Sequence, residues 1–204
     1  MSVPPVLAGG GRGNRVARRQ ARRRRLEEAA LYLFAGRGYH ETSVDEIVGE
    51  ARTSKTAFYE LASSKEEFLR ELLAREGGQL IEAVAATAGE GRDHRERLRR
   101  GIHAFVTACA RQAPLARLLL VESVGISAGI EEVRQRLHGR FAALVEEEVR
   151  RAAAEDAFYA AADPVVFGRA VVGAVNEATA HFLSRPGADP EALAAGLCRI
   201  FAPR

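Results

Sequence analysis

Tryptophan is absent from the 204 residues, methionine occurs once and cysteine twice. No apolar run approaches the ~20 residues a membrane helix needs. Cys109 and Cys198 sit among aliphatic neighbours, so they read as small core residues in free-thiol form rather than as a disulfide framework. Also missing are H-E-x-x-H, C-x-x-C, G-x-S-x-G and a glycine-rich phosphate loop ahead of a helix. Each of those spacings puts ligands or a nucleophile on one face or one turn, so their absence leaves hydrolase, redox and nucleotide chemistry without support. Glu177 and His181, four apart, share a helix face and read as an ordinary polar pair. The chain opens without a hydrophobic leader and small-residue cleavage site, which predicts a reducing cytoplasm, with no membrane partner, metal or cofactor. A small helical enzyme is therefore the weaker reading.

What is present is charge in one place. A net charge of +3 is modest, but Arg12, Arg15, Arg18, Arg19, Arg22, Arg23, Arg24 and Arg25 all precede the first acid, Glu27. Arginines at the start of a helix gain nothing from its dipole and suit an external anion. Residues 1–21, rich in glycine, proline and arginine, are expected to form a basic arm with little fixed structure when unbound. The arm is suited to phosphate or minor-groove contact, with a solubilising tail as the competing reading.

Helical periodicity starts near Arg22, and Leu26, Ala29, Ala30, Leu33 and Phe34 make one buried stripe. Ser43 with Glu46 forms a capping box ahead of Val44, Ile47, Val48 and Ala51. Arg52 and Thr53 interrupt, Ser54 caps a second short helix, and Lys55, Thr56 and Tyr59 lie beside Ala57, Phe58 and Leu61. This is a helix-turn-helix candidate, bounded at 22–67. A longer region, 68–204, carries only helical patterns, so the fold class is all-α, with a three-helix DNA-binding head and a larger helical domain. Gly77 and Gly78 predict a kink or break in the helix that joins them. The helix from Pro164 is apolar around most of its circumference, which predicts a dimer seam of Val171, Val175 and Phe182 with Leu197 and Phe201 from the last helix. Polar groups in apolar stripes, His103 near Phe105, Glu122, Asn176, Glu177 and His181, are candidates for orienting a small, partly apolar ligand.

Two segments, LEEAALYLFAGRGYHETSVDEIVGEA (Leu26 to Ala51) and SKTAFYELASSKEEF (Ser54 to Phe68), stand in the order and spacing of the TetR/AcrR transcriptional repressors. The first third of the chain resembles that family. The resemblance implies a dimer on a double-stranded, palindromic operator, released by a small-molecule ligand, with a constitutive DNA-binding dimer as the alternative. It implies that Thr42 or Ser43, Lys55, Thr56, Tyr59 and Lys65 approach DNA; Ser54 and Arg52 join them as a helix N-terminus and an added cation, and Arg22, Arg23, Arg24 and Arg25 as the basic arm. Arg52 and Thr53 stand where the family has glycine and valine, and Glu60 stands where it has histidine or tyrosine. The turn must therefore form without its glycine, and Glu60 is expected to face away from phosphate or to accept from a cytosine amine.

Overall fold

The computed structural model describes residues 10–203 apart from residue 186; the expectations for residues 1–9 lie outside it. Among the described residues the regular structure is helical throughout. The helices are α1 (Gly10–Arg37), α2 (Val44–Glu50), α3 (Lys55–Tyr59), α4 (Lys65–Gly89), α5 (His94–Arg111), α6 (Ala113–Arg117), α7 (Ala128–Ala152), α8 (Ala157–Ala160), α9 (Pro164–Leu183) and α10 (Pro190–Phe201). A π-turned segment, Leu118–Glu122, continues α6. The chain divides between Phe68 and Leu69 into two compact units, joined by the continuous run of α4.

In the first unit α1 buries Leu26, Ala30 and Phe34 completely, as does α2 with Ile47 and α3 with Phe58. The Phe58 ring stacks at a tilt on Phe68, 4.9 Å between centroids. Residues 10–21, expected to lack structure, instead continue α1. Arginine, alanine and glutamine are good helix formers, and extending a helix already fixed at Leu26 needs no new nucleus. Both short helices start as their caps dictate. The Ser43 hydroxyl accepts from the Glu46 N–H at 3.2 Å while the Glu46 carboxylate accepts from the Ser43 N–H at 2.8 Å; Ser54 accepts from Ala57 at 3.2 Å.

The turn between α2 and α3 solves the missing-glycine problem by placing Arg52 in the left-handed region, φ +50°. The Thr53 N–H then reaches back to the Val48 carbonyl at 2.9 Å and the Arg52 N–H to Gly49 at 3.1 Å, the paired bonds of a Schellman helix end.

In the second unit the expected break at Gly77 and Gly78 does not occur: α4 runs through both. Gly77 instead allows close packing, since a Cβ there would lie 2.5 Å from Cδ1 of Leu137 on α7. Gly168 does the same between α9 and α7, where a Cβ would lie 2.8 Å from the Ala142 carbonyl oxygen. A shared core of Ile102, Phe105, Val106, Val149, Val171, Val175 and Leu197 binds α5, α7, α9 and α10 together. Arg99 fixes the end of α10 by donating to the Ala202 carbonyl at 2.8 and 2.9 Å, and Tyr159 donates to Phe201 at 3.2 Å.

Three residues assigned to a dimer seam belong to this core: Val171, Val175 and Leu197 are 3%, 6% and 6% exposed. Phe182 and Phe201 are half-buried. The expectation therefore does not hold for these three, because α9 is apolar on both faces and periodicity does not say which face the core takes. The uncovered face carries Val166, Ala170, Gly173 and Glu177 at helical spacing, with Ile200 exposed on α10.

Candidate functional site

Among the described residues two features stand out: a cationic helix-turn-helix and an apolar cavity open at one rim. In the first unit Lys55, Thr56 and Tyr59 project from α3 into solvent, and Arg52 from the turn. Tyr59 is 53% exposed, its ring edge-on to Phe58 at 5.4 Å, so it is a surface aromatic and not part of the core. Lys55 pairs with Asp45 at 2.8 Å, and this hydrogen bond holds its ammonium above the usual lysine range. Asp45 thereby orients the amine across the turn. Along α1, Arg15, Arg18, Arg22 and Arg25 recur at helical spacing on one face, with Arg19 beside them and Arg24 on the opposite side. At 1.5 Å per residue the run from Arg15 to Arg25 spans ~15 Å, several phosphate spacings. Arg22 pairs with Glu60 at 3.1 Å and Arg23 with Glu27 at 2.7 Å. Glu60 is thus turned onto a cation of the same chain.

Two expected DNA contacts are corrected. Thr42 is 1% exposed, and its hydroxyl donates to the Gly38 carbonyl at 2.8 Å. The Lys65 ammonium donates to the carbonyls of Tyr39 and Thr42 at 2.8 and 2.7 Å and sits 4.1 Å above the Tyr39 ring. Burial depresses its pKa. Lys65, the first residue of α4, is a clamp on the loop between α1 and α2; the sequence gives its position but not the loop carbonyls that capture it. The Ser43 and Ser54 hydroxyls serve as caps. Arg37, which sequence reasoning missed, reinforces the first cap by pairing with Glu46 at 2.9 Å.

In the second unit α4, α5, α7 and α9 line a cavity of ≈ 150 Å³. Its walls are apolar: Val84 and Ala88 from α4, Leu98 and Phe105 from α5, Phe141 and Val145 from α7, Val172 and Val175 from α9. Asn176 lies on the wall, and Arg97 and Glu148, 3.5 Å apart, are its charged groups. His94 adds a contact to Glu148 at 3.1 Å. Gly89, also on the lining, is exposed, which marks this as the outer rim. Such a cavity suits an apolar chain with a polar head.

Of the ligand candidates, Phe105 and Asn176 line the cavity and the others do not. His103 pairs with Glu191 at 3.3 Å, Glu122 with Arg117 at 2.9 Å, and Glu177 and His181 are exposed on α9. Arg97, Glu148, Phe141 and Val172 were missed, because an apolar stripe facing a cavity and one facing a filled core have the same pattern.

Residues 26–72 match the sequence model of bacterial regulatory proteins of the TetR family, and residues 91–202 match a tetracyclin repressor-like C-terminal domain. The HTH-type transcriptional activator FasR of Mycolicibacterium smegmatis is 40% identical over 99 residues, 48% of this chain and 45% of that protein. The chain thus spans less than half the length of this curated relative. Among solved structures, the fatty acid degradation regulator FadR of Bacillus halodurans superposes with a TM-score of 0.82 at 18% identity, covering 89% of this chain and 94% of that one. FadR of Bacillus subtilis, solved in complex with stearoyl-CoA, superposes with a TM-score of 0.78 at 17% identity, covering 87% and 96%. These likenesses establish a common fold, and since the C-terminal match alone takes in more than half of the residues, the chain belongs to the TetR family of bacterial transcriptional regulators.

Proposed function

We propose that this regulator binds a palindromic operator as a homodimer and releases it when an acyl-CoA occupies the cavity of the second unit. The observation that carries this reading is the path of α4, which starts at the Lys65 clamp and ends by lining the cavity with Val84, Ala88 and Gly89. Ligand that displaces the far end of α4 acts on the helix whose near end holds the α1–α2 loop. Two heads must sit about one DNA turn apart, ~34–36 Å, to enter successive major grooves, so a modest shift of α4 changes affinity. Lys55, Thr56 and Tyr59 reach the major groove, and Arg52, Arg24, Arg25 and the N-terminal ends of α2 and α3 hold phosphates. The dimer closes over Val166, Ala170, Gly173 and Ile200, all exposed in the isolated chain.

The acyl-CoA assignment is supported by the apolar walls, the charged rim at Arg97 and Glu148 and the ligand of the B. subtilis relative. A second reading, activation in place of repression, is favoured by the name of the M. smegmatis relative; the same release mechanism serves both, since the sign depends on where the operator lies relative to the promoter. Native mass spectrometry of protein as purified, then with added stearoyl-CoA, tests the assembly and the ligand together. A dimer that takes up one acyl-CoA per subunit is expected; a monomer, or a dimer that ignores the added acyl-CoA, contradicts the proposal.

A further inference from the structure

Residues 14–21 of α1 are helical and exposed throughout, and Leu26 is the first side chain of the helix to be buried among the described residues. The sequence holds no acid before Glu27. Like charges at i and i+4, as in Arg15 with Arg19 and Arg18 with Arg22, work against the helix that carries them. Glu60 compensates Arg22 at 3.1 Å, but Arg18, Arg19 and Arg25 pair with no acid among the described residues. Charges that do nothing for their own unit suit a polyanion outside it.

The helix also sets the direction in which these charges face. Residues seven apart return to nearly the same side. Arg15 and Arg22 therefore stand in line with Ala29, and Arg19 in line with Leu26 and Leu33, three residues that α1 buries in the core of its unit. The face that is core from Leu26 onward is arginine before it. The basic turns thus overhang the side of the unit on which α2 and α3 lie, and the Arg22–Glu60 pair fixes the crossing point, because Glu60 is the residue that ends α3. Beyond that point α1 has DNA-binding charge and no protein beneath it, while Lys55 and Thr56 occupy the other end of α3.

Resting on the reading that α3 enters the major groove, we infer that the amino-terminal turns of α1 are a second DNA-contact element, in which Arg15, Arg18 and Arg19 lie along the phosphates of the duplex that flanks each half-site. The ~15 Å from Arg15 to Arg25 covers about four phosphates of one strand. Contacts of this kind position the protein and read no bases, so they lengthen the bound site without lengthening its sequence requirement. Because they are helical, the arginines meet the backbone from outside at a fixed spacing.

The test uses the full chain on duplexes taken from DNA flanking its own gene and trimmed from both ends, with Kd read by fluorescence anisotropy across a salt series. Arg15, Arg18 and Arg19 are replaced together by glutamine, which keeps helix propensity, and separately by lysine, which keeps the charge. Removing about five base pairs of flank from each side is expected to weaken wild-type binding at least about tenfold and to leave the glutamine variant unaffected. The glutamine variant should also lose about two to three units of salt slope for each subunit, and the lysine variant should retain the wild-type slope. A salt slope equal in wild type and glutamine variant, a wild-type affinity indifferent to trimming, or a lysine variant that behaves as the glutamine one would overturn the flanking contact and leave the helix-turn-helix reading standing. Equal affinity for the operator and for a scrambled duplex of the same length would remove both.

Discussion

Arg52 shows how much one residue can carry. A non-glycine residue at φ +50° costs about 1–2 kcal/mol, and the TetR pattern relieves that cost with glycine. Arg52→Gly is therefore expected to raise thermal stability by about 1 kcal/mol while weakening operator binding and flattening its salt dependence by about one phosphate contact; a melting curve and a salt series of anisotropy titrations read both. Glu60 gives the opposite sign. Its pairing with Arg22 spends one cation of the basic helix, so Glu60→Gln is expected to tighten DNA binding severalfold and steepen the same salt slope. The sequence shows both residues as departures from the family pattern, and it could not show that Glu60 pairs with Arg22, 38 positions away in the chain. Lys65 is the clearest lesson at this scale: its identity suggested a phosphate contact, whereas two backbone carbonyls that no sequence pattern marks capture its amine.

At the level of helices, caps were legible and glycines were not. The serine and aspartate caps of α2, α3, α9 and α10 act through contacts two or three residues away, within the reach of local pattern. A glycine's role depends on what crosses it. Gly49 on α2 would meet nothing within 4 Å if given a Cβ, whereas Gly168 on α9 would meet the Ala142 carbonyl oxygen at 2.8 Å. Gly49→Ala is accordingly expected to stabilise by about 0.5–1 kcal/mol and Gly168→Ala to destabilise by about 1–3 kcal/mol, measured by urea unfolding. The acid limb of stability follows from the same caps and pairs. The Glu46 carboxylate is held below its usual range first by the Ser43 N–H, and Asp156 by its hydrogen bond from Arg95. Both are depressed groups, so their contribution is complete above the unfolded values near pH ~4 and is lost as pH falls through the lower folded values. Asp156→Asn should make the unfolding free energy less dependent on pH below ~4; an unchanged acid profile would show that the pair contributes nothing.

At the scale of the molecule, helical periodicity was enough to give an all-α architecture with a helix-turn-helix head, but it could not choose between the two faces of α9 or separate a cavity lining from a core. Both distinctions depend on what is missing from one side of a helix. Ile200→Asp, at a position 63% exposed in the isolated chain, is expected to convert a dimer into monomer without loss of helicity, as read by sedimentation and circular dichroism. Operator affinity should fall with it, since a single head engages a single half-site. The central claim is that the cavity and the operator compete through α4. The most direct measurement is the operator Kd by fluorescence anisotropy, on DNA flanking the protein's own gene, with and without saturating stearoyl-CoA whose binding is verified on the same sample. Coupling through α4 predicts a 5- to 150-fold weaker Kd, corresponding to ~1–3 kcal/mol; an operator Kd unchanged by bound acyl-CoA would contradict it.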